Sequence, residues 1–316
     1  MSQLTSRAQD RLLAATSLSP EQVVEKMALA LQPGYWLDLC PMPNAGTLGL
    51  TDDADPVTSG EFDRRALAVA LRAQGYIQTP PLLSSALVSR MRSVVTTLKE
   101  TGWPPVFAFV YDEFWKLWRV PNVTAVLREL VGNSYRMRLW MWCYYVHAAR
   151  GARGWKPHAD GFGRPGLSLW IPLADASVEN GCMYVVPRDL LSADVQLASL
   201  FDRDHLPTTV ATELLQCARP LPAAAGSLLA WQFDILHWGG VAQGGHEPRI
   251  SLSAEFIAAE HANTPDDDPA WIPREGLPGF EDRLRIIAAN IQRFSGNDAW
   301  SFRYGGLGAA LQAALK

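Results

Sequence analysis

The chain has 316 residues, of which 48% are hydrophobic, with 28 basic and 32 acidic side chains. A formal net charge of −4 gives no reason to expect nucleic acid or an anionic membrane as a partner, since both attract strongly basic surfaces. The length allows one or two domains with a substantial core. No apolar run is long enough to span a membrane, so no transmembrane helix is expected.

The cysteines and the first residues favour a reducing compartment. Cys40, Cys143, Cys182 and Cys217 show neither a CxxC pair nor regular spacing, so they predict neither a zinc knuckle nor a disulfide framework. Free and mostly buried thiols are expected. Residues 1–19 carry charges throughout and lack the apolar core of a signal peptide. These features predict a cytoplasmic protein.

Helical patterns dominate the first 130 residues. The apolar spacing predicts helices at 4–17, 20–32 (beginning at Ser19-Pro20), 61–74, 84–99 and 123–130, the last closed by Gly132. Short strands are predicted at 75–78 and 106–110. Residues 33–60 are rich in Gly, Pro and Asp and predict an irregular segment, whose acidic patch at Asp52, Asp53 and Asp55 is expected to be a solvated loop.

From Arg136 the apolar period changes from 3.6 to 2. This pattern predicts strands at 136–148, 167–172, 183–186, 226–231 and 249–256, with a turn at Glu179-Asn180-Gly181 that uses a left-handed glycine. Residues 191–220 are expected to be a partly helical insertion, 262–276 an exposed loop and 280–294 a final helix. Short strands with Gly/Pro turns predict a mainly β protein of the α+β class, with a jelly-roll or cupin-like barrel and helices packed outside it.

A candidate metal site is centred on His158 and Asp160. On an extended segment, residues i and i+2 point to the same face, so the imidazole and the carboxylate can bind one ion together. Pro157 disfavours helix at this point. The best third ligand is His237, beside a later predicted strand. Two histidines and one carboxylate form the facial triad of non-haem Fe(II) oxygenases, although an HxD pair alone is a common chance pattern.

A candidate anion site follows at Arg249 and Ser251. Strand alternation places both residues on one face. A buried arginine beside a metal site is costly without a partner. A carboxylate ligand would provide that partner through a bidentate fork, with the serine hydroxyl adding a further hydrogen bond.

These motifs, in this order, resemble the phytanoyl-CoA dioxygenase-like (PhyH) family of Fe(II)/2-oxoglutarate-dependent oxygenases over about Gly75 to Phe256. The resemblance is carried by Gly75-Tyr76-Ile77, His158-Ala159-Asp160, Leu169-Trp170-Ile171-Pro172-Leu173-Ala174-Asp175-Ala176, Glu179-Asn180-Gly181-Cys182-Met183, Ala225-Gly226-Ser227-Leu228-Leu229, His237 and Arg249-Ile250-Ser251.

The resemblance implies a double-stranded β-helix that holds Fe(II) through His158, Asp160 and His237. It implies that Arg249, helped by Ser251, binds the far carboxylate of 2-oxoglutarate. The implied reaction oxidises a small-molecule substrate while 2-oxoglutarate and O2 become succinate and CO2. Halogenating relatives replace the metal-binding carboxylate with a small residue, so the presence of Asp160 favours hydroxylation or a related oxidation.

We expect one oxygenase domain over residues 1–316. Within it we expect an N-terminal helical and irregular extension at 1–60, a jelly-roll core with supporting helices at 61–260, and a loop with a C-terminal helical tail at 261–316. The partner is expected to be a small molecule, partly apolar because the variable segments are rich in aromatic residues. Neither the substrate nor the oligomeric state follows from the sequence.

Several residues near the motifs have open roles. Trp142, Tyr144 and Tyr145 are candidates for the cofactor pocket because the family uses this strand for it, but the inward face of the strand is not determined. His147 is either a neighbour of the site or, as we prefer, a hydrogen-bonded core histidine. Trp238 is expected to pack.

The loops around the HxD motif carry charged and aromatic residues. Solvated surface charge is the preferred interpretation for the basic residues there, and an anionic substrate is the alternative; they are Arg150, Arg153, Lys156 and Arg164. Trp155 and Phe162 are candidates for a lid. His205, His246 and His261 lie in loop-like sequence and are expected at the surface.

Two other functions fit parts of the pattern. A non-catalytic jelly-roll protein that binds a ligand would keep the barrel without a usable triad. A cupin-like zinc or iron enzyme that needs no keto acid would keep the triad but leave Arg249 without a carboxylate partner.

Overall fold

The structure is a computed structural model that describes residues 17–40, 63–161, 163, 165–191, 208–245, 247–261, 276–296 and 298–315. Some predictions concern residues outside these ranges: the helix at 4–17 except its last residue, the patch Asp52, Asp53 and Asp55, nearly all of the loop at 262–276, and the side chains of Phe162, Arg164, His205 and His246.

Ten α-helices are present in the described ranges. They are α1 (Pro20–Ala30), α2 (Pro33–Leu39), α3 (Arg64–Gln74), α4 (Ser85–Glu100), α5 (Glu113–Lys116), α6 (Pro121–Val131), α7 (Thr208–Cys217), α8 (Phe280–Phe294), α9 (Ala299–Arg303) and α10 (Gly305–Ala314). Two of their ends follow the predicted signals, because Ser19 forms a capping box with Gln22 and Gly132 ends α6 at a φ of 104°. Among the described residues, no helix has the length and apolar composition needed to cross a bilayer.

The strands form two antiparallel sheets. They are β1 (Tyr76–Gln78), β2 (Tyr135–Val146), β3 (Leu167–Pro172), β4 (Met183–Val185), β5 (Arg219–Leu221), β6 (Leu229–Gln232), β7 (His237–Gly239) and β8 (Arg249–Ala258). The larger sheet has the order β1-β6-β3-β8-β2 and the smaller one β5-β4-β7. The mainly β barrel with outer helices is therefore confirmed as a double-stranded β-helix.

Two of the predicted elements are wrong. The strand predicted at 106–110 is a 3₁₀ helix (Pro105–Val110) whose residues are all buried. Because it is apolar on every side, its composition could not distinguish a buried strand from a buried helical turn. The irregular segment predicted at 33–60 begins with helix α2, in which Pro33 occupies the first turn and Trp36 is buried. The short strands β5 and β7 were not predicted.

A bulge in β2 shapes the inner surface of the barrel. The pairing of β2 with β8 shifts register between Met137 and Met141. Asn290 of α8 is fully buried and replaces the lost ladder bonds: its Oδ1 accepts from the Met141 amide at 3.2 Å, and its Nδ2 donates to the Leu139 carbonyl at 2.9 Å. Helix α8 is thereby fixed against the barrel wall beside the cleft described below.

The four cysteines are free thiols, three of them buried, as predicted.

Candidate metal centre

His158, Asp160 and His237 converge on one point. The Nε2 atoms of His158 and His237 lie 3.6 and 3.7 Å from the same oxygen, Oδ1 of Asp160. Two ligands that each lie about 2.1 Å from one ion are about 3.0 Å apart when they are adjacent at about 90° and about 4.2 Å apart when they are opposite. The observed separations fall within this range and suit ligands of a shared ion. The three side chains form a candidate metal site.

The backbone explains the convergence. The segment that contains His158 pairs with β7, so that His158 and His237 exchange two backbone hydrogen bonds of 3.0 and 2.9 Å. Their ring centroids are 4.3 Å apart. The extended conformation predicted for the HxD segment then places Asp160 on the same side as His158.

Hydrogen bonds to the backbone orient both imidazoles. Nδ1 of His158 lies 2.8 Å from the Lys156 carbonyl oxygen, and Nδ1 of His237 lies 3.0 Å from the Ile235 carbonyl oxygen. A carbonyl only accepts, so each Nδ1 carries the proton. Each Nε2 therefore directs its lone pair towards Asp160, which is the tautomer that a metal ligand requires.

Asp160 is held through its other oxygen. Its Oδ2 accepts a hydrogen bond of 2.5 Å from the Ser168 hydroxyl and one of 3.0 Å from Nε1 of Trp231. These two donors leave Oδ1 facing the histidines. The carboxylate is thus oriented for binding through one oxygen.

The electrostatics favour the protonation states that bind a metal. Burial acts to raise the pKa of Asp160, but the two histidines and the hydrogen bonds from Ser168 and Trp231 outweigh it and hold the pKa below its ordinary value. Burial lowers the pKa of His237 to about 4, against the opposing influence of Asp160. An ionised carboxylate and a neutral imidazole are therefore both present at neutral pH.

Arg249 and Ser251 are buried beside this centre. Arg249 is 2% exposed and Ser251 is fully buried. One Nη of Arg249 donates to the Gly181 carbonyl, but its Nε and the Ser251 hydroxyl have no hydrogen-bond partner among the described residues. Burial lowers the pKa of Arg249 to about 10, which leaves the guanidinium charged. A buried cation and an unpaired hydroxyl together fit an anionic ligand.

Two glycines make room for the guanidinium. A Cβ at Gly154 or at Gly239 would lie 2.4 Å from Nη2 of Arg249. Any other residue at these positions would displace the arginine. The space that the guanidinium occupies therefore depends on two glycines, which lie on separate segments of the chain.

A cleft with about 600 Å³ of empty space, partly open to solvent, joins the metal ligands to Arg249. Its walls are strongly aromatic; the aromatic residues are Trp140, Trp142, Tyr144, Trp155, Trp170, Trp231 and Phe294. Trp142 and Tyr144 therefore lie on the inward face of β2. Burial raises the pKa of the Tyr144 hydroxyl, which keeps it protonated. Tyr145, on the other face, is not among the residues that line the cleft.

Trp155 covers one side of the metal ligands. Its ring centroid lies 5.7 Å from that of His158 and 4.8 Å from that of Phe294 at the end of α8. Trp155 therefore lies beside the candidate metal ligands, and its role as a lid stays a prediction.

Other predicted residues lie away from the centre. His147 is exposed, so neither a role beside the metal nor the preferred core role is supported. His261 is a surface residue, and Trp238 packs on Tyr184 with ring centroids 5.6 Å apart, both as expected. Arg150, Arg153 and Lys156 are exposed.

Four residues that shape the site were not identified from the sequence: Ser168, Trp231, Arg138 and Glu255. Ser168 and Trp231 are opposite each other on β3 and β6, so the pairing of these two strands would have revealed them. Glu255 lines the cleft, and its Oε2 accepts a hydrogen bond of 2.8 Å from Nη1 of Arg138. Burial, and then Asp160, raise the pKa of Glu255 to about 8.

Comparison with known proteins agrees with this architecture. Residues 105–250 match the family model described as phytanoyl-CoA dioxygenase (PhyH). No curated protein matches the chain.

Solved structures share the fold. One is the non-heme alpha ketoglutarate dependent epimerase SnoN from nogalamycin biosynthesis, with 23% identity, a TM-score of 0.50, and coverage of 70% of this chain and 94% of SnoN. Another is the non-heme monooxygenase ThoJ in complex with Ni, with 14% identity, a TM-score of 0.52, and coverage of 73% and 97%. The match of residues 105–250 to the phytanoyl-CoA dioxygenase (PhyH) family model confirms the resemblance that the motifs predicted.

Proposed function

We propose that this protein is an Fe(II)/2-oxoglutarate-dependent dioxygenase that hydroxylates, or otherwise oxidises, a small molecule. Fe(II) and 2-oxoglutarate are the metal and cosubstrate of the PhyH family. The observation that carries the proposal is the juxtaposition of the triad His158, Asp160 and His237 with the partly unpaired cation Arg249 in one cleft.

The donor set suits Fe(II). Two imidazoles and one carboxylate, with the remaining coordination positions free, form the arrangement typical of non-haem iron oxygenases. The residues behind the ligands maintain this arrangement, because the Lys156 and Ile235 carbonyls fix the tautomers of the two histidines.

The anion site suits the far carboxylate of 2-oxoglutarate. The guanidinium of Arg249 would donate to it, and the Ser251 hydroxyl would provide a further hydrogen bond, which satisfies both groups that lack partners. When bound, the iron and the keto acid supply the oxidising power. The chain itself binds and orients them, and the aromatic walls limit water near the reacting atoms.

The same pairing weighs against the two other functions. A ligand-binding jelly roll has no need of correctly oriented metal ligands, and a metalloenzyme without a keto acid would leave Arg249 buried without a carboxylate. The fold alone does not determine the reaction, since the same fold occurs in a protein described as an epimerase. The intact carboxylate at Asp160 favours hydroxylation or a related oxidation over halogenation.

Succinate formation tests the proposal. The parent protein, incubated with 2-oxoglutarate and O2, is expected to release succinate only when Fe(II) is added. The variant His158→Ala is expected to lose this activity, whereas Trp238→Phe, which changes the packed neighbour of His237, should retain it. Succinate release that is independent of Fe(II), or that survives in His158→Ala, would reject the proposal.

A further inference from the structure

The inner face of the barrel carries a second polar group, distant from Arg249. Glu255 lies six residues after Arg249 on β8, which corresponds to about 20 Å along an extended strand. In the pairing of β3 with β8, Glu255 is opposite Ser168, the residue that holds Asp160. Glu255 therefore lies at the opposite end of β8 from Arg249, next to the residue that orients Asp160.

Glu255 faces the cleft with its partner behind it. Its side chain is 16% exposed, against 9% for Arg138, and Glu255 lines the cleft whereas Arg138 does not. Apart from the metal ligand Asp160, it is the only carboxyl among the described residues that line this cleft. Arg138 lies within the bulge of β2 between Met137 and Met141.

The surroundings of Glu255 make a purely structural role costly. Burying an ion pair seldom stabilises a fold more than well-packed apolar residues of the same volume would. The same cleft is lined by Trp140, Trp170 and Trp231, which offer no hydrogen-bond acceptor to a ligand. A ligand with an apolar body and one hydrogen-bond donor would match this surface.

We propose that Glu255, positioned by Arg138, is the specificity-determining residue of the cleft, and that it accepts a hydrogen bond from a hydroxyl or amine of a substrate whose apolar ring system packs on the tryptophans. This inference rests on the proposed function, since it assigns the end of the cleft near Arg249 to 2-oxoglutarate. A substrate bound in this way has its ring system close to the metal ligands.

Three matched probes test the inference: 2-naphthylmethanol, 2-naphthylmethylamine and 2-ethylnaphthalene, the last lacking the donor. Binding is measured by calorimetry on protein loaded with Zn(II), with and without 2-oxoglutarate, so that no turnover occurs. At about pH 8.5, where Glu255 with its pKa of about 8 is mostly ionised, the two donor probes are expected to bind about tenfold more tightly than 2-ethylnaphthalene, which is the effect of one hydrogen bond to a charged group.

Variants separate recognition from folding. In Arg138→Met/Glu255→Leu, which replaces the pair with apolar residues of similar size, the three probes are expected to bind equally. In Glu255→Gln the amine is expected to lose about tenfold in affinity while the alcohol, which still meets an acceptor, changes little. Glu247→Gln, at an exposed ion pair with Arg92, is the control and should keep the parent's preference.

The inference is overturned if the parent binds the three probes equally or none of them at millimolar concentration, or if the double variant keeps the preference. Failure of the proposed function gives a different result. In that case 2-oxoglutarate itself does not bind the metal-loaded protein, whatever the probes do.

Discussion

Replacing Gly239 with alanine is expected to weaken the binding of 2-oxoglutarate by about 100-fold and to leave metal binding nearly unchanged. The added Cβ would lie 2.4 Å from Nη2 and 2.8 Å from Nη1 of Arg249. Non-bonded atoms pack at about 3.5 Å, so the guanidinium has to move by about 1 Å.

The magnitude follows from the hydrogen bonds that such a movement breaks. A hydrogen bond to a charged group contributes about 1.5–3 kcal/mol, and a bidentate fork needs both of its N–H groups in line with the carboxylate. Losing most of the two hydrogen bonds from Arg249 to the carboxylate corresponds to about 3 kcal/mol. Each 1.4 kcal/mol is about tenfold in affinity, so the expected loss is about 100-fold.

Anaerobic calorimetry of 2-oxoglutarate binding to the Fe(II)-loaded protein measures the effect. Gly154→Ala should act similarly from the other side, since its Cβ would also lie 2.4 Å from Nη2. The matched control is Gly34→Ala in α2, where an added Cβ meets nothing within 4 Å. If Gly239→Ala binds 2-oxoglutarate as tightly as the parent and as Gly34→Ala, Arg249 is not the anion site.

Three further predictions concern the residues behind the site. Trp231→Phe removes one donor to Asp160 and should lower metal affinity about 10- to 100-fold in a chelator competition; unchanged affinity would show that the hydrogen bond does not orient the ligand. Asn290→Leu leaves two buried backbone groups of the β2 bulge unpaired and should reduce the free energy of unfolding by about 2–4 kcal/mol in urea titrations, whereas a loss below about 1 kcal/mol would mean that water replaces the amide. Because the folded pKa of Glu255 is raised to about 8 from an ordinary 4.5, the unfolded state loses its proton first, so the stability of the metal-free parent relative to Glu255→Gln should fall as pH rises from about 4.5 to 8. Thermal unfolding of both proteins across this pH range measures the effect. If the difference in stability between them does not change with pH, the raised pKa of Glu255 is contradicted.

The sequence predicts the strands around the site better than it predicts the surface they enclose. Strand β3 was predicted at its observed bounds because a short apolar run between turn signals has few alternatives. Strand β2 was also predicted, but both of its faces carry large apolar residues, so its alternation could not show that Trp142 and Tyr144 face inward. The bulge adds to the ambiguity, because it depends on Asn290, which is remote in sequence.

The candidate metal ligands could be selected from the sequence because their chemistry restricts the residue types. His158 and Asp160 are linked by local geometry, and His237 by its place beside a strand. Ser168 and Trp231 were not found, since a serine and a tryptophan have many ordinary roles and only strand pairing brings them to Asp160. Glu255 was missed for the same reason, because the role of its side chain depends on the cleft that it faces.

The central claim is that three side chains hold one Fe(II) while Arg249 anchors a keto acid that binds to the same ion. The most direct measurement is the visible absorption spectrum during an anaerobic titration of 2-oxoglutarate into the Fe(II)-loaded protein. A charge-transfer band that saturates at one equivalent in the parent, and is lost in His237→Ala, is the predicted result. No band in the parent, or an undiminished band in His237→Ala, would contradict the account.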